Sequence, residues 1–390
     1  MIFSTSEPHT VENMKVAAFF AGIAGFELGL ERAGHETVMF CEIDPCARAV
    51  LEHHFDLPIA SDIRRVRALP RGTELVTAGF PCQDLSQVGS TNGIRGPKSG
   101  VVSNLVRLLR NNDVPHVLIE NVPFMLHLHQ GRAIEYLTKR LESLGYKWAY
   151  RVVDARAFGI PQRRERVFLL ASKQYDPWRV LFEHSYPPDN RVYLPGIACG
   201  FYWTEGTRGL GWAVDSVPPL KGGSSIGISS PPAVWLPDGR IVKPSIRDAE
   251  RLQGFPADWT LPAEKLKRRG YRWKLVGNAV SVPVAEWLGK CLNNLATIRA
   301  MQLPMREHNK KKPWPAAAFG QKGEAIYAVD VTAWPHKTKG KSLETFLKEP
   351  EDLSYKAVTG FSRRLTASSL VYPDRFLKAL RAHAKRMEGN

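Results

Sequence analysis

The sequence is poor in cysteine: Cys41, Cys46, Cys82, Cys199 and Cys291 are the only five among 390 residues. They are scattered and odd in number, and no CxxC pair occurs, which argues against a disulfide framework and against a structural zinc site. No metal is expected. No run of about 18 apolar residues is present, which excludes a membrane-spanning helix. The N-terminus, MIFSTSEPHTVENMK, lacks a basic segment followed by an apolar core, so it does not read as a secretory signal. No internal repeat is visible. A reducing cytoplasm is the simplest setting for such a chain.

Acidic charge is also scarce. Lys and Arg number 54 against 38 Asp and Glu, a formal charge of +16. Such an excess suits a polyanionic partner, nucleic acid before a membrane surface. Hydrophobic residues make up 44% of the chain, enough for packed cores. At roughly 100–200 residues per domain the length suits two or three domains.

Three stretches separate along the chain. From Met14 to about Ser172, short apolar runs alternate with helical patterns. Val16–Phe20, Thr37–Cys41, Leu75–Gly79, Val117–Glu120 and Arg166–Ala171 read as buried strands, with helical segments such as Gly25–Ala33, Pro45–His54 and Asn104–Arg110 between them. This alternation predicts a mostly parallel sheet covered on both faces. Residues 173–261 are rich in Pro, Gly, Trp and Tyr and read as a small irregular domain. Residues 262–300 return to helical patterning from Pro283 and rejoin the first stretch. Residues 301–390 carry 17 Lys and Arg against 9 Asp and Glu, about half of the excess charge. Within them Pro373–Met387 suits an amphipathic helix with Phe376, Leu377, Leu380 and Ala384 on one side.

Chemistry concentrates at predicted strand ends. Ala21-Gly22-Ile23-Ala24-Gly25 follows the first strand and opens a helix. This is where doubly wound sheets bind nucleotides, because glycine lets a ligand approach the main chain. Glu42, at the tip of the second strand, suits ribose hydroxyls, and Asp62, after the third, suits an amino group of adenine. Cys82 lies in a Pro/Gly-bounded loop just past a strand, where a thiol can be exposed and act as a nucleophile. Glu120 ends another strand, and strand ends of a parallel sheet share one edge, so a thiol and a carboxylic acid should face one crevice. Arg164 and Arg166 alternate in a dense basic turn, so on an extended chain they point the same way and suit a phosphate or a carbonyl oxygen.

Taken in order, FFAGIAG, CEID, GFPCQDLS, IENV, QRRERVF, RDAERLQGFP and GNAVSVPVA resemble the DNA (cytosine-5) methyltransferases of bacterial restriction–modification systems, over about Val16–Ala285. The resemblance implies an α/β, Rossmann-like, mostly parallel catalytic domain (14–172 with 262–300), a smaller irregular target-recognition domain (173–261) and a basic C-terminal extension (301–390) of unassigned role. It implies methyl transfer from S-adenosyl-L-methionine to C5 of cytosine in a short duplex sequence. Cys82 is then the nucleophile at C6, Glu120 the residue at N3 and N4, Arg166 the contact to O2, and Arg164 its partner near the phosphate and the thiol. Phe20, Gly22, Gly25, Glu42, Ile43, Asp62, Ile63, Pro81, Val101, Asn278 and Val280 fall in the cofactor set, with Gly277 allowing the turn at Asn278. C6 is hidden in a stacked duplex, so the base must be flipped out.

Two departures stand out. The family usually has a glycine where Ala24 stands, and the stretch after Val101 lacks the usual aromatic. Gln83, Ser86, Arg208, Lys221, Ser224, Ser225, Arg240 and Lys243 are candidates for DNA contact, and Arg247, Arg251 and Gln253 for packing the recognition domain. The partners implied are double-stranded DNA and a cognate restriction endonuclease, with a monomer as the default and no membrane. Three other readings weigh less. A non-catalytic DNA binder would not need the Cys82, Glu120, Arg164 and Arg166 set. The tRNA-modifying branch has a Cys-Phe-Thr element that is missing here. A nicotinamide dehydrogenase would leave Pro-Cys-Gln unexplained.

Overall fold

The computed structural model describes residues 13–80, 100–204, 209–222, 230–293, 304–309 and 312–388. The chain divides into two compact units: residues 1–157, 165–188 and 280–337 form the first, and residues 158–164, 189–279 and 338–390 the second. No helix among the described residues is long and apolar enough to cross a membrane.

The first unit is an α/β layer structure. Its opening half alternates β1 (Lys15–Phe19), α1 (Gly25–Arg32), β2 (Glu36–Cys41), α2 (Pro45–His54), β3 (Ile59–Ala60), β4 (Thr73–Ala78), α3 (Gly100–Asn111) and β5 (His116–Asn121). Strands β1, β2, β4 and β5 match the apolar runs read from the sequence within two residues at each end, while α3 starts four residues before the helical segment read at Asn104–Arg110. The strands are buried along almost their whole length, which is why they read as continuous apolar runs rather than alternating ones. Pairings β3–β2, β2–β1, β1–β4 and β4–β5 are all parallel. Helix α2 has a local reason to start where it does. At α2, the Asp44 side chain accepts from the N–H of Cys46 at 2.9 Å, and Pro45 fills the first turn where its missing N–H costs nothing.

The sheet then changes direction. After α4 (Arg132–Glu142) come β6 (Lys147–Asp154) and β7 (Glu165–Ser172), an antiparallel pair, and β7 also runs antiparallel to β5. The run expected at Arg166–Ala171 is therefore a strand of reversed direction, because no crossover helix separates it from β6. Beyond α5 (Pro177–Phe182) the chain leaves the first unit and later returns in a helix at Val282–Asn293. It then adds three more strands, Met305–Glu307, Ala317–Gly320 and Tyr327–Val329, all antiparallel. They continue the sheet outward from β6, giving ten strands among the described residues. Trp314 locks this addition. It packs against Trp148 and Tyr150 of β6 and closes on Gly131 (φ 84°), where a Cβ would come within 2.1 Å of the indole.

The second unit holds a five-stranded antiparallel sheet. In chain order its strands are β8 (Cys199–Phe201), β9 (Ala213–Val214), β10 (Ala233–Trp235), β11 (Ile241–Lys243) and β15 (Glu351–Asp352), the three strands of 305–329 being β12 to β14. Helices α6 (Ile246–Arg251) and α7 (Arg272–Asn278) follow β11, α8 being Val282–Asn293 of the first unit. Two further helices, α9 (Tyr355–Thr366) and α10 (Asp374–Arg386), lie in the last fifty residues. The amphipathic stretch read at Pro373–Met387 is α10, with Phe376 and Leu380 fully buried. Residues 301–390 are thus shared between the units. Their first part extends one sheet, and their last part supplies the core of the other. In that core Phe376 packs on Phe201 at 4.9 Å, Trp212 at 5.0 Å and Trp235 at 5.5 Å between ring centres. His383, on the same face, accepts from the Ile241 N–H through Nδ1 at 3.1 Å and donates through Nε2 to the Leu353 carbonyl at 2.9 Å.

One buried carboxyl in the first unit has a strongly altered acidity. Glu27, in the first turn of α1, is 1% exposed, and one of its carboxyl oxygens accepts from the Thr77 hydroxyl of β4 at 2.7 Å. The other oxygen has no hydrogen-bond partner among the described residues. Burial pushes this carboxyl up to about 7, the Thr77 hydrogen bond opposing it. The neutral form is the stable one in the fold. Its contribution is complete below the ordinary carboxylate value near 4.5 and is lost as pH rises through about 7.

Two outcomes are expected. Phe376→Ala should cost about 3–5 kcal/mol in urea unfolding; a loss under about 1 kcal/mol would show that α10 is not part of the core. Glu27→Gln should flatten the pH dependence of thermal stability between pH 5 and 8, leaving the variant more stable than the parent at pH 8. Parallel melting curves for the two proteins across that range would refute the assignment.

Candidate active site

The carboxyl ends of β1, β4 and β5 lie side by side, since these strands are parallel neighbours. The groups singled out from the sequence collect there. Phe20, one residue past β1, turns the chain with φ 54° and meets Phe80 edge to face at 6.0 Å. Gly22 has φ 57°, and a Cβ built on it meets nothing within 4 Å. A left-handed glycine with open space over it is what a main-chain cradle for a ligand requires. Ala24 also sits left-handed, at φ 66° and ψ 37°, fully buried. This conformation costs an L-residue about 1–2 kcal/mol, which explains the glycine usual at that place. Gly25 answers a different need. A Cβ there would come within 2.3 Å of the Val280 carbonyl, so glycine allows α1 to press on the segment before α8.

Glu42 is 9% exposed at the end of β2. It accepts from Gly22 N–H at 2.7 Å through one oxygen and from Asp44 N–H at 2.8 Å through the other. Burial raises its carboxyl, and the two backbone hydrogen bonds oppose that. Glu42 thereby holds the glycine turn in shape, and each oxygen keeps a lone pair for a further donor. Ile43 beside it is 65% exposed, an apolar face at the mouth of the turn. Asp62 follows β3, and its carboxylate pairs with Arg64 at 2.6 Å, which holds it below the usual range. Ile63 is buried in the core with Val66, and Val101, on α3, is half-buried against the same core.

Glu120, 7% exposed at the end of β5, pairs with the Arg166 Nε at 3.0 Å. A Cβ on Gly79 would lie 3.8 Å from both the Glu120 carboxyl and the Phe20 carbonyl, so the three strand ends converge. Asn121 donates to the Phe80 carbonyl at 3.0 Å and pins the chain as it enters the next loop. Sequence reasoning passed over this residue, although it adjoins Glu120. It also passed over Arg48, which caps the Ile43 carbonyl at 2.8 Å. Pro81, Cys82, Gln83 and Ser86 follow Phe80 directly and lie outside the described residues, as do Arg208, Ser224 and Ser225.

Arg164 and Arg166 belong to different units, and each is held by its own partners. Arg164, 2% exposed, donates to the Ala279 carbonyl at 2.7 Å and to the Gly277 carbonyl at 3.2 Å in the second unit. Gln253 donates to the Val276 carbonyl at 2.9 Å, and Gln162 donates to the Leu252 carbonyl at 2.9 Å while accepting from Leu220 N–H. The C-terminal end of α7, where Asn278 is exposed, is therefore braced by two polar side chains, Arg164 and Gln253, with Gln162 holding Gln253 in turn. Gly277 serves packing rather than a turn. It is helical, and a Cβ on it would come within 2.6 Å of the Lys221–Gly222 backbone.

The α6 element holds more charge than the sequence suggested. Glu250, fully buried, pairs with Arg272 at 2.9 Å, and Arg272 also reaches Asp258 and Glu264. Arg247 pairs with Asp258 at 2.6 Å and with Glu349, and Arg251 with Asp248 at 2.7 Å. Among the readout candidates, Arg240 pairs with Asp238 at 2.7 Å and Lys243 with Glu351 at 2.8 Å. The Lys221 ammonium sits 3.9 Å above the Tyr202 ring.

Comparison with known proteins gives a consistent answer. The chain matches the family described as C-5 cytosine-specific DNA methylase over residues 14–195 and 238–294. It is 48% identical over 383 residues to the Type II methyltransferase M2.BsuMI of Bacillus subtilis (strain 168), covering 94% of this chain and 97% of that protein. Most of residues 301–390 therefore lie inside the match. It is 28% identical over 294 residues to the Type II methyltransferase M.MspI of Moraxella sp, covering 70% of this chain and 68% of that one. The crystal structure of S. pombe Dnmt2 methyltransferase is 20% identical and has a TM-score of 0.49, covering 72% of this chain and 98% of that one. On the family match and the identity over nearly the whole length, the chain belongs to the C-5 cytosine-specific DNA methylases.

Proposed function

We propose that this enzyme transfers a methyl group from S-adenosyl-L-methionine to C5 of a flipped cytosine in a short duplex sequence, as the modification enzyme of a Type II restriction–modification system. One observation carries the reading most. A buried carboxyl, Glu120, is clamped by Arg166 at the strand-end edge that also carries the open Gly22 turn and Glu42. The relatives' names, both Type II methyltransferases, support the biological role.

The cofactor fits what this edge offers. Gly22 would lie under it, Glu42 would take its ribose hydroxyls with the remaining lone pairs, and Ile43 and Phe20 would supply apolar walls. Asp62, Ile63, Pro81, Val101, Asn278 and Val280 complete the assigned set. When bound, the cofactor supplies a methyl group on a cationic sulfonium. The chain's own residues make the base able to receive it. Cys82 adds through Sγ to C6, and the electron pair of the C5–C6 double bond moves onto C5. Glu120 in its protonated form donates to N3, which draws charge out of the ring and makes C6 electrophilic. Arg166 orients that carboxyl and faces O2, and Arg164 takes the partner role. After C5 has gained the methyl group, a base accepts the C5 proton and the thiolate leaves from C6, restoring the double bond and the free Cys82.

Residues 173–261 are assigned the reading of the target, with Gln83, Ser86, Arg208, Lys221, Ser224, Ser225, Arg240 and Lys243 as contacts. Of these, Arg240 and Lys243 must give up or share an acidic partner to contact DNA. The reading places the enzyme in the cytoplasm as a monomer, with a cognate endonuclease cutting the same sequence.

Bisulfite sequencing of DNA from cells expressing the parent and Cys82→Ala tests the chemistry. Protection at one short motif, lost in the variant, is expected, with cofactor binding by the purified variant retained; substantial residual protection would remove the covalent step. Glu120→Gln should lower the turnover number about 10²–10⁴-fold with duplex affinity kept. An unaltered rate would take Glu120 out of the mechanism.

A further inference from the structure

We propose that the exposed face of the α9–α10 helical pair is a phosphate-binding surface for duplex DNA, built into the second unit by the C-terminal residues. The two helices carry eight Lys and Arg and a single acid, Asp374. Their arrangement is one-sided. On α10, Arg375, Lys378, Arg381 and Lys385 are all exposed, while Phe376, Leu380 and His383 are buried on the opposite face. At 1.5 Å per residue the stripe from Arg375 to Lys385 is about 15 Å long. A duplex carries one charge per about 1.7 Å of its axis, so such a stripe can meet several phosphates. On α9, Lys356 and Arg363 are exposed opposite Val358, Phe361 and Leu365.

What separates these cations from those around α6 and β11 is their pairing. Arg240, Lys243, Arg247, Arg251 and Arg272 each have a carboxylate of the unit as partner. None of the four on α10 or the two on α9 forms an ion pair with another described residue. Their charge is presented outward, and releasing counterions from a polyanion is the use that favours clustered, unpaired cations. The helices cannot shift freely to hide it, because Phe376 and Phe361 anchor both to the sheet of the unit through Phe201. The contact reads no sequence. It supplies affinity and orientation, and leaves discrimination to groups at base edges.

The proposal rests on duplex DNA being the substrate, and its test is kept apart from methyl transfer. Truncating the tail is not a clean experiment, since it would remove the core residues of the second unit. Full-length enzyme and the variant R375Q/K378Q/R381Q/K385Q would be titrated onto a short alternating dA·dT duplex, which contains no target base, across a salt series. The slope of log K against log[salt] should flatten by about 3.6, at about 0.9 per lost phosphate contact. Melting temperature checks the fold. Should the fourfold variant melt early, K356Q/R363Q on α9 gives the same reading with a flattening of about 2. The charge-conserving R375K/R381K should keep the parental slope. A parental slope in the folded glutamine variants would overturn the proposal, and so would a flattened slope in R375K/R381K. Methyl transfer by the parent into cytosine-containing DNA tests the proposed function separately.

Discussion

The reversal of β7 is the constraint on which the rest of the first unit depends. β5 runs parallel to β4 and ends at Asn121, while β7 runs back beside it and begins at Glu165. The start of one strand therefore lies next to the end of the other, with Glu120 opposite Phe168 and Asn121 opposite Val167. Had β7 been parallel over the same span, Arg166 would stand at the opposite end of β5, about five residues along the strand from Glu120. Reversal alone lets a guanidinium from the basic turn reach a carboxyl that ends a buried strand. A carboxylate this buried needs such a partner, because an ion taken out of water is costly unless it is paired.

The same edge explains why backbone geometry, more than side chains, defines the cofactor region. Glu42 uses both oxygens on main-chain N–H groups, so the acid and the turn hold each other in place. Ala24 carries a left-handed conformation that only glycine adopts without strain, and α1 is still packed tightly enough on the Val280 segment to keep the turn. Strain of this order is tolerable only where surrounding contacts determine the backbone. Here those contacts are the close approach at Gly25 and again at Gly29, where a Cβ would stand 2.5 Å from that of Ala285.

Much of this was legible in the sequence, and the rest was not for identifiable reasons. Buried parallel strands announce themselves as apolar runs, so β1, β2, β4 and β5 and the residues at their ends could be located. The segment MRE of β12 and the dipeptide ED of β15 carry no such pattern. They become strands only because a distant partner, Val329 or Val242, completes the ladder. Arg164 sits in a run of charges that reads as solvated, yet it is buried on two carbonyls more than a hundred residues away. Glu250 and Arg272 read as ordinary surface charges of two helices. Only the fold shows that they face each other across a dry contact.

Net charge is the property most easily misread. A formal +16 is a sum over side chains, whereas the field felt by a polyanion depends on which of them are already paired. In the second unit the ions near α6 largely neutralise one another, with Arg247, Arg251 and Arg272 facing Asp248, Glu250, Asp258, Glu264 and Glu349. Glu349 and Glu351 come from the C-terminal stretch, so that stretch cancels charge around α6 and β11. The same stretch concentrates unpaired charge on α9 and α10. One segment thus both silences basic residues chosen from the sequence, such as Lys243, and supplies others in their place. Its weight in this enzyme comes from where its charges are left unmatched, and that is set by the hydrophobic anchoring of Phe361 and Phe376 rather than by composition.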